Sequence, residues 1–506
     1  MALNILSLIG IAILLLFIYQ KFLKNSSKNP SVAILVVGDV GRSPRMQRHT
    51  ISCLQELPTK YEVHLVGFFD SSLMSDLTSE MKNKNTRLHC HPIWRFPLKP
   101  RQTPHFLVYA LCKILTEFIS LHILLLNPKI IPNLHYMVLQ NPPTIPVALI
   151  AKIVCMIRKC KFVIDWHNFG FSILNVKSSS AQTNKSKGKK NIIVEIYRNF
   201  ERYIGGCADQ HLCVSEAMRY FLVEQWHFPS SNMHVLYDRP TDLFLSKLTI
   251  EKKKQLDQDL FQQLAKHLLV QHTDTSAISD LKGRDFWVIT STSWTPDEDI
   301  SMLWSEHVLD TVHSKLADTR IHHDKRRLVI FITGKDEGEL KQEFEKNWRA
   351  IESKMTNVRV VLLWLERYEL YVHLLRWCDI GLCFHRSSSG LDLPMKVVDM
   401  FGIGIPVIAY EFDEQNMRRV MKWHVDDKNT EKHIQTALPE LVSHGKHGLV
   451  FSNSSDLTQH LCTCFDPTYL HTLNEFRQNI ETDFRSKSWE TDWREIVKPI
   501  LCSSNQ

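Results

Sequence analysis

No CxxC pair occurs in the 506 residues, and the twelve cysteines are scattered. The spacing therefore argues against a structural zinc site. Several of these cysteines lie inside apolar runs, as buried free thiols do, which fits a body kept in a reducing compartment. The GxGxxG turn of a nicotinamide-binding domain is missing, and so is the GxxxxGK[ST] turn of a P-loop ATPase. No short-period repeat is present. Charge of one sign is also scarce. The net charge is +7 and no Lys/Arg-rich face is legible, which argues against nucleic acid as a partner. The mild basic excess suits an anionic membrane surface or a phosphate-bearing substrate.

The length predicts two or three domains. Residues 2–19, ALNILSLIGIAILLLFIY, are almost wholly apolar, and Lys21, Lys24 and Lys28 follow. A cleaved signal peptide would carry its charge first and end in small residues. The opposite order predicts an uncleaved anchor in segment 1–30, with the lysine side and the following body in the cytosol. From Ser31 to Pro240, short apolar runs alternate with amphipathic segments: SVAILVVG, EVHLVGFF, LHYMVLQN, KFVIDWHN, QHLCVS and MHVLYD. Near-continuous apolar strands of this kind belong to parallel sheets covered on both faces. The alternation restarts at Asp285 with FWVITSTSW, RLVIFITG, VRVVLLWL, IGLCFH, IPVIAY and HGLVF. The reading is α/β, with doubly wound domains at 31–240 and 285–506 joined by a polar linker or insertion at 241–284. The stretch 178–190 reads as an exposed loop. Two apolar segments, 106–126 and 145–157, contain Lys113, Glu117 and Lys152. They read as helices packed on the sheet, or as a surface that dips into a bilayer; the charges oppose full spanning.

Chemistry concentrates where strands end. After the first strand, GDVGRSPR runs into a helix starting near Pro44. Gly38, Gly41 and the helix N-terminus make an anion site, and Arg42 and Arg45 add bidentate phosphate donors. Asp39 would be repelled by a phosphate, so it serves as a general base, orients an arginine, or simply pairs Arg42 in a turn. In VIDWHN, Asp165 and His167 project to one side of an extended strand, so the carboxylate can orient the imidazole. In the second half, the hydroxyls of Ser291, Thr292 and Ser293 follow a strand. Gly334 and Lys335 end another. Ser387, Ser388, Ser389 and Gly390 give a donor-rich loop ahead of a helix that carries Lys396 and Asp399 on one face. Lys396 suits a diphosphate, and Asp399 ribose or sugar hydroxyls.

The ordered set GDVGRSPRMQ, LQNPP, VIDWHN, STSWTPDED, ITGK and SSSGLDLPMKVVDMFG resembles the chitobiosyldiphosphodolichol β-mannosyltransferase family, over residues 34 to about 451. The resemblance implies the GT-B architecture, two Rossmann-like domains facing a cleft. It implies transfer of the first mannose, β1,4-linked and with inversion, from GDP-mannose to GlcNAc2-diphosphodolichol at the cytosolic face of the endoplasmic reticulum membrane. Other dolichol-pathway mannosyltransferases would be partners. It places the acceptor on the first half, with Asp39 as first candidate base, His167 as second and Asp165 supporting it. Gly38, Gly41, Arg42 and Arg45 would then clamp the acceptor diphosphate. The donor would lie on Ser291, Thr292, Ser293, Gly334, Lys335, Ser387 to Gly390, Asp392, Lys396 and Asp399. Related retaining enzymes carry two glutamates near 391–399; Leu391 and Asp399 stand there in this chain, in keeping with inversion. No DxD-like pair is placed to hold a metal, so no tightly bound cofactor is expected and a dissociable Mg or Mn ion is at most a helper. Three other readings compete: a GT-B transferase using a UDP-sugar, a non-catalytic scaffold paralogue, and a nucleotide-sugar epimerase.

Overall fold

The computed structural model describes residues 29–83, 86–95, 106–180, 192–268, 285–295, 297–298, 300–305, 307–317, 327–335, 338–422 and 436–502. The expected anchor at 1–30 falls almost entirely outside these residues, as does most of the loop at 178–190. Among the described residues no helix is long and apolar enough to cross a membrane.

The chain forms two units. One runs to Tyr237 and takes back the residues from Glu490 onward; the other is Asp238–Trp489. The first unit is built on a seven-stranded sheet: β1 (Ser31–Asp39), β2 (Glu62–Phe68), β3 (Leu88–Pro92), β4 (Leu134–Asn141), β5 (Lys161–Trp166), β6 (Gln210–Cys213) and β7 (Met233–Val235). Their order is β3-β2-β1-β4-β5-β6-β7, and every pairing is parallel. Val32 to Leu35 of β1 are fully buried, because helices cover both faces. Those helices are α1 (Pro44–Glu56), α2 (Ser75–Lys82), α3 (Phe106–Leu126), α4 (Val147–Arg158), α5 (Gly170–Ser180), α6 (Ile192–Gly205) and α7 (Glu216–Glu224). Strand order reverses direction between β1 and β4. Ligand crevices of doubly wound sheets form at such a point, outside the strand carboxyl ends.

The second unit repeats the plan with six parallel strands: β8 (Phe286–Ser291), β9 (Leu328–Thr333), β10 (Val358–Leu363), β11 (Ile380–Cys383), β12 (Val407–Tyr410) and β13 (Gly448–Phe451). The order is β10-β9-β8-β11-β12-β13, which puts its reversal between β8 and β11.

Three sequence readings change. Strand β3, LHCHP, was not anticipated, because two histidines and a proline leave it no apolar run. The segment 241–284 is not simply a linker. Its residues Ile250–Leu268 form helix α8, which buries Leu256, Leu260, Phe261 and Leu264 at helical spacing within the second unit. The last helix, α9 (Trp489–Cys502), leaves the second domain to which it was assigned. Trp493, Val497 and Leu501 are buried against the first unit, and Trp493 Nε1 donates to His49 Nδ1 at 3.0 Å. An amphipathic stripe records that a helix packs, but not on which sheet.

Glu56 of α1 fixes that helix from outside. It accepts from Arg494 Nε at 2.9 Å and Nη2 at 2.6 Å, and from Lys498 Nζ at 3.3 Å. The Arg494 contact, with help from Lys498, holds the carboxyl down from its usual 4.5 to about 2. A depressed carboxyl contributes stability above its unfolded value and loses it as pH falls through the folded one. Glu56→Gln is therefore expected to lower unfolding free energy at neutral pH by about 1 kcal/mol, discounted because Arg494 is half exposed. The difference from wild type should close as pH falls from about 4.5 to about 2, measured by denaturant titration across that range.

Candidate active site

The first site grows from the turn after β1. Asp39 N-caps the short helical turn Val40–Arg42, its Oδ1 accepting from Gly41 N at 3.2 Å. The same oxygen accepts from Asp70 N at 3.1 Å and Ser71 N at 3.2 Å, and Oδ2 takes the Ser71 hydroxyl. A Cβ on Gly41 would strike Ser71, so the two loops touch backbone to backbone. The Ser71 hydroxyl, aided by these backbone donors, holds the Asp39 carboxyl below its usual value. Asp39 thus ties two loops together and makes a poor proton acceptor, which removes it as first candidate base.

Arg45 departs further from expectation. Its side chain is only 5% exposed, and its fork closes on Asp165 at 2.8 Å (Nε) and 2.9 Å (Nη2), while Nη1 donates to the Leu236 carbonyl at 2.9 Å. It is an internal counter-ion and not a diphosphate clamp. Arg42, 83% exposed and 3.6 Å from Asp39, is the guanidinium of this turn that faces solvent.

Asp165, at the end of β5, is fully buried and meets three cations or potential cations. Besides Arg45, His167 Nε2 lies at 2.9 Å and His49 Nε2 at 3.2 Å. Burial pushes the carboxyl up, but Arg45 and then His167 pull it well below the ordinary range. Asp165 is therefore ionised and accepts only. The hydrogen bond places the His167 proton on Nε2 and leaves Nδ1 with a free lone pair. With its side chain 21% exposed, His167 has the geometry of a general base oriented by a carboxylate. The expected Asp165–His167 pair is present; His49 and Trp493 behind it were missed. His49 sits within a helical stripe that reads as ordinary core, and Trp493 is over three hundred residues away.

A second buried knot shapes the neighbouring strand end. Glu201 of α6, fully buried, accepts from Asn141 Nδ2 at 2.8 Å, Thr144 Oγ1 at 2.7 Å and Gly170 N at 3.0 Å. Burial raises its carboxyl, and these donors offset part of that shift. They pin LQNPPT against the loop after His167; a glutamate on an amphipathic helix gave no signal of it.

In the second unit the β8 turn is closed on itself. Thr292 Oγ1 accepts from Trp294 N at 2.8 Å, and Ser293 N donates to Glu298 Oε2 at 2.7 Å. Ser291 Oγ accepts from the Tyr371 hydroxyl at 3.4 Å. Gly334 is obligatory, because a Cβ would strike the Thr292 carbonyl. Lys335 is exposed and lies 5.9 Å over the Trp364 ring. The serine loop is organised by Asp392, which takes the Ser387 hydroxyl, Ser389 Oγ at 3.2 Å and His385 Nε2 at 3.2 Å. Asp392 is thus a loop organiser and not free to hold a donor. Ser387 Oγ accepts from Gly390 N at 2.7 Å, and Gly390 takes φ +74°, which favours glycine. Ser388 lies in the same loop.

Helix α10 (Met395–Ile403) begins directly after this loop. Its Lys396 bonds Glu298, and burial lowers the ammonium to about 8 despite Asp297 nearby. Asp399 bonds the Tyr368 hydroxyl and is raised to about 7 by burial. So the two residues serve different partners. Glu298 and His385 were not singled out from sequence; with Asp297 they bring three potential ligand atoms within 4.8 Å of one another. Lys396 already neutralises Glu298, and His385 is committed to Asp392, which raises its imidazole against the burial that lowers it. A resident dication would have to displace both, so this set does not fit one.

Two parallel Rossmann-like sheets with polar loops at their carboxyl ends make this a protein of the GT-B fold class. The fold matches a Rickettsia africae glycosyltransferase (TM-score 0.56, 12% identity, 95% of this chain and 100% of that one). It also matches Anabaena HepE, solved with UDP (TM-score 0.53, 13% identity, 94% and 100%). No family model matches the sequence. Curated relatives are more specific. The chain is 30% identical to the Dictyostelium discoideum chitobiosyldiphosphodolichol β-mannosyltransferase (94% of each chain) and 31% identical to the Mus musculus one (100% of this chain, 96% of the relative). It is also 30% identical to the Arabidopsis thaliana UDP-glycosyltransferase TURAN (94% and 97%). The chain belongs to the chitobiosyldiphosphodolichol β-mannosyltransferase family.

The two arginines of the first turn separate structure from function. Arg45→Ala leaves Asp165 buried and uncompensated and is expected to cost about 3–5 kcal/mol. Arg42→Ala, at the surface, should stay within about 0.5 kcal/mol. Denaturant midpoints of the two variants check this; equal losses would remove Arg45 as the internal counter-ion.

Proposed function

We propose that the chain moves mannose from GDP-mannose onto the chitobiose of a dolichyl diphosphate, at the cytosolic face of the endoplasmic reticulum membrane. The observation that carries this reading is the full-length similarity to mannosyltransferases of that name in organisms as distant as Dictyostelium and mouse. A β link made from an α-linked nucleotide sugar needs one inverting displacement. The acceptor hydroxyl loses its proton as it attacks the anomeric carbon, and the nucleoside diphosphate leaves with the bonding pair.

His167 is the base in this scheme. Nδ1 takes the acceptor proton, and the imidazolium that forms is stabilised by Asp165. Arg42 holds the acceptor diphosphate. On the donor side, Lys396, the N-terminus of α10 and the backbone donors of Ser387–Gly390 receive the charge of the leaving GDP. Ser291 to Ser293 follow the neighbouring strand end, and Asp399, one turn into α10, is bonded to the Tyr368 hydroxyl. His167→Ala should reduce kcat by about a hundredfold or more with the donor KM nearly unchanged. Lys396→Ala should instead raise the donor KM by about tenfold or more. If the two variants exchanged these effects, the division of labour would be wrong.

The likeness to TURAN supports a second reading, in which the donor is a UDP-sugar. Transfer to a short-chain chitobiosyl diphosphate lipid, measured with GDP-mannose and UDP-sugars in competition, separates the two. GDP-mannose is expected to be used and to be unaffected by UDP-sugars. Transfer only from a UDP-sugar would overturn the proposal.

A further inference from the structure

Strand order fixes which helices of the first unit share a face. β1 to β2 to β3 proceeds one way, while β3 to β4 to β5 to β6 proceeds the other. Right-handed crossovers then put α1 and α2 on one face and α3, α4 and α6 on the opposite face. The two helical layers end in different surfaces. On the first face α9 packs over α1, and its exposed positions are Thr491, Arg494, Glu495 and Pro499. On the second face, α3 exposes Leu115, Phe118, Ile119 and Ile123 and, among its described side chains, no polar one. Met156 of α4 and Ile196 of α6 are exposed in the same layer, at 67% and 60%. The layer is tied together from within. Arg158 at the end of α4 donates to the carbonyl of Leu125 in the last turn of α3 and to that of Ile131 in the turn that follows, and Lys152 of α4 donates to the Cys207 carbonyl beyond α6.

We infer that this apolar face of α3, α4 and α6 lies on a lipid bilayer, its side chains in the interfacial region and its helices parallel to the membrane plane. Two observations choose a bilayer over a second protein. The end of the layer is basic: exposed Lys129 and Lys159 follow the last turns of α3 and α4, where they would meet anionic headgroups. The apolar run at residues 2–19 is joined to that same end. Ser31 N donates to the Asn133 carbonyl, and Asn133 precedes β4, a few residues past the end of α3. Residues 20–28 span at most about 30 Å, so the chain leaves a run of transmembrane composition within that reach of Ser31. The helices themselves do not cross; an in-plane face is the arrangement that accepts exposed isoleucine and leucine beside interior charges. This deepens the proposed function by naming the surface on which a lipid-linked acceptor would be met. It does not depend on the donor or on catalysis.

The test uses the full chain carrying an environment-sensitive fluorescent amino acid at position 119 or, as a control on the opposite layer, at position 495. The proteins are mixed with phosphatidylcholine vesicles, with and without phosphatidylserine, containing a phosphatidylcholine brominated on its acyl chains. The run at 2–19 acts equally on both proteins, so it cannot create a difference between them. The label at 119 should blue-shift and be quenched, more strongly with phosphatidylserine, while the label at 495 stays unquenched. Ile119→Asp/Ile123→Asp in the full chain should retain its melting temperature. It should also raise the apparent KM for acceptor presented in vesicles by about tenfold, leaving that for a water-soluble short-chain acceptor unchanged. An unquenched label at 119, or equal quenching at both positions, overturns the inference. So does a blue shift at 119 that follows protein concentration without lipid, which would make the face a contact between copies. If the enzyme proves to use another donor, the quenching result stands.

Discussion

The buried carboxylate of Asp165 is the constraint on which the first unit depends. An ionised group with no solvent exposure is tolerable only when its charge is matched and its lone pairs are filled. Here Arg45 comes from the helix after β1, His49 from one turn further along it, and His167 from the loop after β5 itself. Meeting that demand closes the crevice-side ends of β1 and β5 on each other, although β4 lies between them. It also sets the tautomer of His167, so that the same electrostatic requirement that holds the sheet ends together leaves the lone pair on Nδ1. The C-terminal helix enters through Trp493, which donates to His49 and so fixes the far side of the same group.

The second unit solves a different problem with a similar economy of charge. Its loops must hold hydroxyl and cationic side chains together at one sheet edge. Asp392 satisfies Ser387, Ser389 and His385 together, and Glu298 satisfies both the β8 turn and Lys396. Each carboxylate keeps cationic and hydroxyl groups gathered at one sheet edge. Lys396, lowered to about 8, is held less firmly as a cation than a surface lysine.

Much of this was legible in the sequence, and some could not have been. The apolar runs determined the two parallel sheets, because strands buried on both faces leave no polar alternation. Asp165 and His167, two apart in a strand, announced their pairing by the period of the β-strand alone. Gly390 and the serines announced a donor-rich loop, and the ordered motifs were enough to identify the family. What the tertiary structure decided was partnership. Arg42 and Arg45 look equivalent in GRSPR, yet one is solvated and the other is sealed against Asp165, because only helix packing distinguishes their two directions. Asp39 looked like a base until the loop at Asp70 and Ser71 filled its lone pairs. Lys396 and Asp399 share a helical face but answer to Glu298 and Tyr368. The last helix carried its apolar stripe openly, while the sheet that receives it is named nowhere in the stripe. Local periodicity encodes which side of an element is buried; the identity of what buries it is a long-range fact, settled only when the chain has folded.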